Sequence, residues 1–334
     1  MNVDLPLIWA LLIAFAVLMY VVMDGFDLGI GILFPLVRGE KKRDTMMNSV
    51  APVWDGNETW LVLGGGGLYA VFPLAYSVLL TAFYAPLIAM LLALIFRGVA
   101  FEFRFKDPAH KPLWDLSFAG GSIVATFCQG IVLGAFIQGI AVDGRNYAGG
   151  WFSWATPFSL FTGLALVAGY ALLGACWLIM KTGGDLQARA NQLARRLGLP
   201  VIGAIVVVSL WTPLLNADIA ARWFSWPNLL YLSPVPLLVA AVALGLWRAL
   251  GGQRTYAPFL LTLALFILAY LGLGISLFPH IIPPDITIWQ AAAPDTSLGF
   301  LLVGALILLP IILAYTAYAY WVFRGKTEDS EGYH

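Results

Sequence analysis

Long apolar stretches of about 20 residues recur along the whole chain, separated by short polar segments. A stretch of that length can cross a hydrocarbon core of roughly 30 Å as a helix, which satisfies its own backbone hydrogen bonds there. The chain is 61% hydrophobic and 11% charged, whereas a soluble domain carries about 25% charged residues. The evenly alternating short strands of a membrane β-barrel are not seen. The sequence therefore predicts an all-α integral membrane protein.

The apolar stretches predict about nine membrane-spanning helices. The predicted spans are Leu7–Val37, Thr59–Tyr76, Val78–Phe96, Leu116–Ile140, Phe158–Met180, Val201–Ala221, Leu229–Trp247, Tyr256–Phe278 and Leu298–Phe323. The gaps between them are too short for a soluble domain, so residues 1–334 are expected to form one membrane domain. Within it we expect a first four-helix bundle over residues 7–140, a second over residues 158–278, and a peripheral ninth helix over residues 298–323.

The basic residues indicate how the chain is oriented in the membrane. Sixteen of the 18 Lys and Arg residues fall in alternate gaps or in the tail, and only Arg145 and Arg222 lie in the gaps of the other side. By the positive-inside rule, the N-terminus is expected outside and the C-terminus in the cytoplasm. The first apolar stretch lacks the features of a cleaved signal peptide and is expected to remain as an anchor. The formal net charge of +0 gives no support for nucleic-acid binding.

Four carboxylates stand at the edges of two predicted spans, where membrane proteins normally avoid charge: Asp24, Asp27, Asp55 and Glu58. An ionised side chain near the bilayer centre costs roughly 2.5–3.5 kcal/mol on insertion scales, so such acids usually pair with bases or handle protons and ions. The members of each pair are three residues apart and share one helix face. Because the two spans run in opposite directions, both pairs are expected on the same side of the membrane.

Arg97 ends the third predicted span on that side and offers a positive charge to the carboxylates. Two simpler interpretations remain open at this point. Asp55 and Glu58 can serve only at a helix N-terminus, where backbone N–H groups and the helix dipole favour acids. Asp24 and Asp27 can serve only in structural ion pairs.

Ligands for a metal or a haem are scarce in this chain. The three histidines, His110, His280 and His334, fall in a gap, at an outer helix end and in the tail. They cannot supply the paired axial ligands that several haems need. Cys128 and Cys176 lie within predicted spans, which favours apolar packing over a disulfide or a zinc site.

Two further patterns predict packing. The run Gly64–Gly67 in the second span lets another helix, or a flat ligand, approach closely, and packing within the chain is the simpler interpretation. The segment 183–198, GGDLQARANQLARRLG, predicts an amphipathic helix at the cytoplasmic surface.

Several long segments resemble, in the same order, subunit II of the cytochrome bd-type quinol oxidases, including the cyanide-insensitive branch. The segments are VMDGFDLGIGIL, NSVAPVWDGNETWLVLGGGGLYAVFP, FRGVAFEFR, LFPHIIPP, ITIWQAAAP and LLPIILAYTAYAYWVFRGK. The resemblance covers nearly the whole chain, and the order of the segments is more specific than any single motif.

The resemblance implies a haem-free subunit of a respiratory oxidase in the bacterial inner membrane, which oxidises ubiquinol and reduces O2 to water. The implied partners are a haem-bearing subunit I with haems b558, b595 and d, a small single-helix accessory subunit, and membrane lipids. Some relatives also hold a structural quinone in this subunit, but no motif here carries that site over.

The resemblance also implies roles for individual residues. The acid that follows tryptophan in the WDGN motif belongs, in the family, to a cytoplasmic proton path towards the haem site, and here it is Asp55 beside Trp54. Asp24, Asp27 and Arg97 occupy the positions of the family's other intramembrane charged residues.

The expected mechanism is proton delivery through the acids to a partner subunit. We expect Asp55 to carry protons, Glu58 and Asp27 to relay them or set the local field, Asp24 to lie at the uptake side, and Arg97 to hold negative charge in place. An H+- or Na+-coupled secondary transporter is the alternative of a different class, although its site is expected near the midplane between inverted repeats. A purely structural scaffold is a third interpretation.

Overall fold

The computed structural model describes residues 3–250, 252 and 254–327, and most of these residues are helical. The long helices are α1 (Leu5–Leu33), α2 (Trp54–Val71), α3 (Tyr84–Lys106), α4 (Lys111–Gln138), α5 (Pro157–Lys181), α6 (Gly184–Leu215), α7 (Pro234–Leu250), α8 (Ala257–Leu277) and α9 (Asp295–Val322). In the described part of the chain, eight helical segments are long and apolar enough to cross a membrane. The ninth, α2, is more polar at its start, and its 18 residues extend about 27 Å. The expected helical membrane fold is confirmed.

Short elements connect the long helices. They are the helices Glu40–Asn48, Pro73–Ala82, Ala217–Phe224, Asn228–Leu232 and Ile288–Ala291, and the 3₁₀ turns Phe34–Leu36 and Pro108–His110. Two antiparallel hairpins lie in connections at the opposite end of the bundle from the charged residues. The first pairs β1 (Val142–Asp143) with β2 (Asn146–Tyr147), and the second pairs β3 (His280–Ile282) with β4 (Ile286–Thr287).

The predicted span Thr59–Tyr76 has the wrong bounds. Helix α2 begins earlier, at Trp54, and ends at Val71. After it, Pro73 begins a separate helix, because proline has no N–H to continue the hydrogen-bond ladder of the preceding helix. The earlier start places the whole WDGNE motif inside α2 instead of before it.

The predicted span Val78–Phe96 is also displaced, since α3 continues to Lys106. The prediction ends the span at the first charged residue. Arg97 and Arg104 are nevertheless buried and paired with carboxylates from other helices. Charge that is neutralised in this way does not end the helix, so the sequence boundary falls too early.

The predicted span Val201–Ala221 and the amphipathic segment before it are parts of one helix, α6, and not a span with a separate surface helix. Apolar side chains of the amphipathic part, Leu186 and Leu193 among them, are buried against the bundle. The span ends earlier than expected because the side chain of Asn216 accepts hydrogen bonds from the next backbone N–H groups and starts a new helix, Ala217–Phe224.

Helix α1 is the central element of the bundle. It packs against α2, α4, α5, α8 and α9, which come from both halves of the chain. Its crossing with α5 is the tightest, since a Cβ atom on Gly29 would lie 1.9 Å from the backbone oxygen of Tyr170, and Gly174 faces Gly29 from the other helix. The division into two four-helix bundles remains a prediction.

The glycine run of α2 has two different faces. A Cβ atom on Gly64 would lie 3.4 Å from Val17, and one on Gly67 would lie 3.3 Å from Ile13, so this face packs on α1. Gly65 and Gly66 meet nothing within 4 Å among the described residues. Packing within the chain therefore accounts for half of the run.

Replacing Gly29 by alanine is expected to destabilise the protein by about 3 kcal/mol or more, because the methyl group overlaps backbone atoms of α5 that cannot move away separately. Gly304→Ala, in α9, is the matched control, since a Cβ atom there meets nothing within 4 Å. The measurement is the thermal unfolding midpoint of each variant in detergent. Equal midpoints for the two variants would contradict the assigned helix crossing.

Candidate functional site

The charged site lies in the lower half of α1, which we define as the half that ends at Leu33. From Met23 to Leu33 every residue of this helix is buried. Asp24 and Asp27 each expose 0% of their surface, and so does Arg97, which α3 places opposite them. Burying these carboxylates and the guanidinium costs desolvation free energy, which is offset only where the opposite charges neutralise one another.

Arg97 joins three helices through its two terminal nitrogens. Its Nη2 lies 3.2 Å from Oδ1 of Asp24 on α1. Its Nη1 donates a hydrogen bond to Oε1 of Glu58 on α2. The side chain of Glu58 keeps 24% of its surface exposed, so this carboxylate connects the buried pair to the surface of the chain.

Trp54 forms an aromatic wall beside the guanidinium. Its ring stacks on Phe101 with the centroids 4.7 Å apart and the planes 3° from parallel. The Cζ atom of Arg97 lies 5.9 Å from the Trp54 ring and 5.4 Å from the Phe101 ring, within reach of a cation–π interaction. Trp54 therefore contacts the positive charge that pairs with the acids.

Asp27 is connected to the site by a hydrogen bond from the side-chain amide of Asn57. Nδ2 of Asn57 donates to Oδ2 of Asp27 at 2.6 Å, and the hydroxyl of Tyr320 donates to Oδ1 of Asn57 at 2.9 Å. Asn57 lies on α2 between the two acids of the WDGNE motif, whereas Tyr320 comes from the last turns of α9. This chain of hydrogen bonds connects α1, α2 and α9.

A second polar chain continues above Asp24 towards the middle of the bundle. Tyr20 lies one turn earlier on α1 and accepts a hydrogen bond from Nε2 of Gln129 at 2.7 Å. The hydroxyl of Tyr170 donates to Oε1 of the same glutamine at 3.2 Å. Polar side chains of α1, α4 and α5 thus extend the charged site into an otherwise apolar core.

Asp55 stands apart from the buried charges. It is exposed, and it lies in the first turn of α2, one turn before Glu58. The N-cap residue of this helix is Val53, which makes no side-chain capping bond, so Asp55 favours the helix end through the dipole and not as a cap. The structure therefore brings Asp24, Glu58 and Arg97 into direct contact, connects Asp27 to them through α1 and α2, and leaves Asp55 at the rim.

A separate group of ion pairs links α3 to neighbouring helices. Arg104 is 1% exposed and donates at 2.6 Å both to Asp44, in the helix after α1, and to Asp115 on α4. Beyond the end of α3, Nδ1 of His110 lies 2.9 Å from Oδ2 of Asp107, and this hydrogen bond holds the pKa of the Asp107 carboxyl below its ordinary value. In these contacts each charged side chain is either exposed to solvent or paired with an opposite charge, so we interpret them as structural.

Sequence reasoning misses five polar residues of the site: Asn57, Tyr320, Tyr20, Gln129 and Tyr170. The WDGNE motif contains Asn57, so its position between two acids could have marked it. No local pattern marks the tyrosines or the glutamine, because aromatic residues are common in membrane helices and their partners are distant in sequence.

Comparison with known proteins identifies relatives along the whole chain. The family model for cytochrome bd terminal oxidase subunit II matches residues 5–323. The chain is 31% identical to cytochrome bd-I ubiquinol oxidase subunit 2 of Escherichia coli (strain K12), with 98% of this chain and 97% of the relative covered. It is 29% identical to cytochrome bd ubiquinol oxidase subunit 2 of Bacillus subtilis (strain 168), with 97% of both chains covered.

A solved structure has the same fold. A chain of the bd oxidase from Geobacillus thermodenitrificans superposes with a TM-score of 0.77 at 18% sequence identity, covering 96% of this chain and 99% of that one. This likeness concerns the helix arrangement alone.

Replacing Arg97 by methionine is expected to lower the stability of the chain by roughly 3–5 kcal/mol, because it leaves two carboxylates without their buried counter-charge. The thermal unfolding midpoint and the yield in detergent should both fall. Adding Asp24→Asn to Arg97→Met should restore part of the loss. Arg145→Met, at an exposed position, is the control and should change neither quantity; a double variant no better than the single one would contradict the pairing.

Proposed function

This chain belongs to the cytochrome bd terminal oxidase subunit II family, and from that membership we propose that it delivers protons through its buried charges to a haem-bearing partner. Its apolar helices and bacterial relatives make it a multi-pass protein of the bacterial inner membrane. It is a component of an oxidoreductase complex of the respiratory chain. The relatives' names specify ubiquinol oxidation, and we extend that substrate to the complex of this chain, with O2 as electron acceptor.

We assign the haems, named in the family as b558, b595 and d, to subunit I. Axial ligation of haem iron typically uses histidine, and the two described histidines do not fit such a site. His110 is bound to Asp107 at the exposed end of α3, and His280 pairs with Thr287 in the hairpin at the other end of the bundle. His334 lies outside the described residues. No step of the mechanism is therefore assigned to a haem in this chain.

The observation that carries the proposal is an imbalance of buried charge. Asp24 and Glu58 contact the guanidinium of Arg97, and Asp27, one turn from Asp24 on α1, is a third carboxyl group beside this one positive charge. In a medium of low dielectric constant, one positive charge cannot neutralise three negative ones. Charge balance is reached when protons bind, so the site can accept and release protons.

We order the groups of the proton route by how far each side chain is exposed to solvent. Asp55, at the exposed start of α2, collects protons from water and passes them to Glu58 one turn further into the helix. Glu58 shares Arg97 with Asp24, so a proton arriving at one carboxylate changes the charge felt by the other. The sequence predicts that Asp24 lies at the uptake side. Because Asp24 is fully buried whereas Glu58 is partly exposed, we place Asp24 after Glu58 in the path.

The orientation given by the basic residues puts this uptake route on the cytoplasmic side. Protons consumed in reducing O2 then come from the cytoplasm, whereas protons from quinol oxidation are released outside. Charge crosses the membrane without a dedicated pump. A small single-helix accessory subunit and bound lipids complete the complex that we propose.

The alternatives make different predictions. The comparisons contain nothing in favour of an H+- or Na+-coupled transporter. A purely structural scaffold would keep the assembled oxidase active after any of these acids is neutralised.

Asp55→Asn is expected to lower quinol-dependent O2 consumption by about tenfold or more at equal haem content, because it removes a group that transfers protons. The measurement uses membranes that contain the assembled complex, with haem content read from visible spectra. Asp143→Asn is the control, since Asp143 is also exposed but lies in a hairpin at the opposite end of the bundle. Both variants should assemble normally.

Unchanged turnover in Asp55→Asn would remove Asp55 from the route and leave it a favourable charge at the start of α2. Equal losses in the two variants would show a general effect of surface charge instead of proton delivery.

A further inference from the structure

Asn57 is an enclosed polar residue of the site that carries no charge. It exposes 1% of its surface, and it uses both ends of its amide. Nδ2 donates to Oδ2 of Asp27 at 2.6 Å and lies 3.4 Å from the backbone oxygen of Met23, while Oδ1 accepts from the hydroxyl of Tyr320. One side chain of α2 is thus fixed by α1 and α9 together.

Only one orientation of this amide satisfies its surroundings. On one side are two acceptors, the carboxylate of Asp27 and the carbonyl of Met23, and on the other side is a hydroxyl that can donate. A flipped amide would place its oxygen against the carboxylate of Asp27 and the carbonyl of Met23, so these two acceptors select the orientation. The Tyr320 hydroxyl adds a hydrogen bond to the amide oxygen in that orientation.

The two oxygens of Asp27 differ as a result. Oδ2 is occupied by the amide of Asn57, whereas Oδ1 is buried and has no hydrogen-bond partner among the residues that the structure describes. An oxygen that already accepts a short hydrogen bond is the less available one for a proton. The other charged groups of the site are Asp24 on α1, Glu58 on α2 and Arg97 on α3.

We propose that Asn57 is a positioning residue for proton transfer, which holds Asp27 so that protons bind and leave at Oδ1, and that Tyr320 fixes the amide for this purpose. The inference rests on the proposed proton-delivery function. In each transfer, Oδ1 takes up one proton from the uptake side and gives up one proton to the next acceptor. Asn57 and Tyr320 neither gain nor lose a proton.

The end of α9 has other attachments, which make Tyr320 testable. Nζ of Lys181 donates to the backbone oxygens of Phe323 and Gly325, and the backbone N–H of Thr327 donates to the backbone oxygen of Lys181 at 2.8 Å. Loss of one hydroxyl from Tyr320 therefore leaves the helix end in place. The change is confined to the orientation of the amide.

The experiment compares Tyr320→Phe with Tyr270→Phe in the purified, assembled complex. Tyr270 is the matched control, because its hydroxyl also donates a hydrogen bond to a neighbouring helix, at 2.8 Å to the backbone oxygen of Ala14 on α1, but away from the acids. Tyr320→Phe should lower kcat about fivefold, the scale of one lost hydrogen bond at a reacting group, with KM for quinol unchanged. Its solvent deuterium isotope effect should rise, and Tyr270→Phe should leave all three quantities at their wild-type values.

Two further variants separate the possible outcomes. If Tyr320 acts through Asp27, then adding Tyr320→Phe to Asp27→Asn should cause no further loss, since the group being positioned is already gone. Asn57→Leu should lower kcat at least as much as Tyr320→Phe, and if it fails to assemble, Tyr320→Phe decides the question. Additive losses, or equal effects of Tyr320→Phe and Tyr270→Phe, would overturn the inference.

The same series distinguishes this inference from the proposed function. Wild-type turnover in Asp27→Asn would remove Asp27 from the proton route, and the positioning role would fall with it. A large loss in Asp27→Asn beside unchanged turnover in Tyr320→Phe would leave the route standing and overturn the positioning role alone.

Discussion

The buried guanidinium of Arg97 is the interaction on which the arrangement of α1, α2 and α3 depends. It pairs with Asp24 and Glu58 from two other helices, and it lies against the stacked rings of Trp54 and Phe101. None of these charged groups is stable in an apolar interior without the others. The helices must therefore meet in one register, and the same register leaves more carboxyl groups than guanidinium groups at this site.

The membrane class, most of the spans and the gathering of the acids on one side could be predicted from the sequence, because hydropathy and helical spacing are local properties. The ends of α2 and α3 could not, since the prediction treats every charge as a boundary, and burial of Arg97 depends on partners far along the chain. The contact between Asn57 and Tyr320 was also beyond reach, because it joins the second and ninth helices. The exposure of Asp55 is likewise a property of the assembled bundle.

Family membership and local geometry answer different questions about this protein. Membership gives the chemistry of the complex, in which electrons pass to oxygen. Geometry gives what this chain can contribute, which is a set of acids with graded exposure: Asp55 at the surface, Glu58 partly covered, Asp24 and Asp27 enclosed. This gradient of exposure, from the surface to the enclosed acids, is what supports the proposed role of the chain in proton delivery.

The continuous helix α6 has a mechanical consequence. Its 32 residues correspond to about 48 Å of helix, more than a hydrocarbon core of roughly 30 Å, and Pro200 lies between its amphipathic first half and its apolar second half. Near its start, Asp185 is bridged to Lys42 at 3.2 Å, and Arg189 donates to the backbone oxygen of Leu36 at 3.3 Å. These two contacts tie the amphipathic start of α6 to the segment that follows α1, so the surface part of α6 and the buried acids of α1 belong to one connected unit.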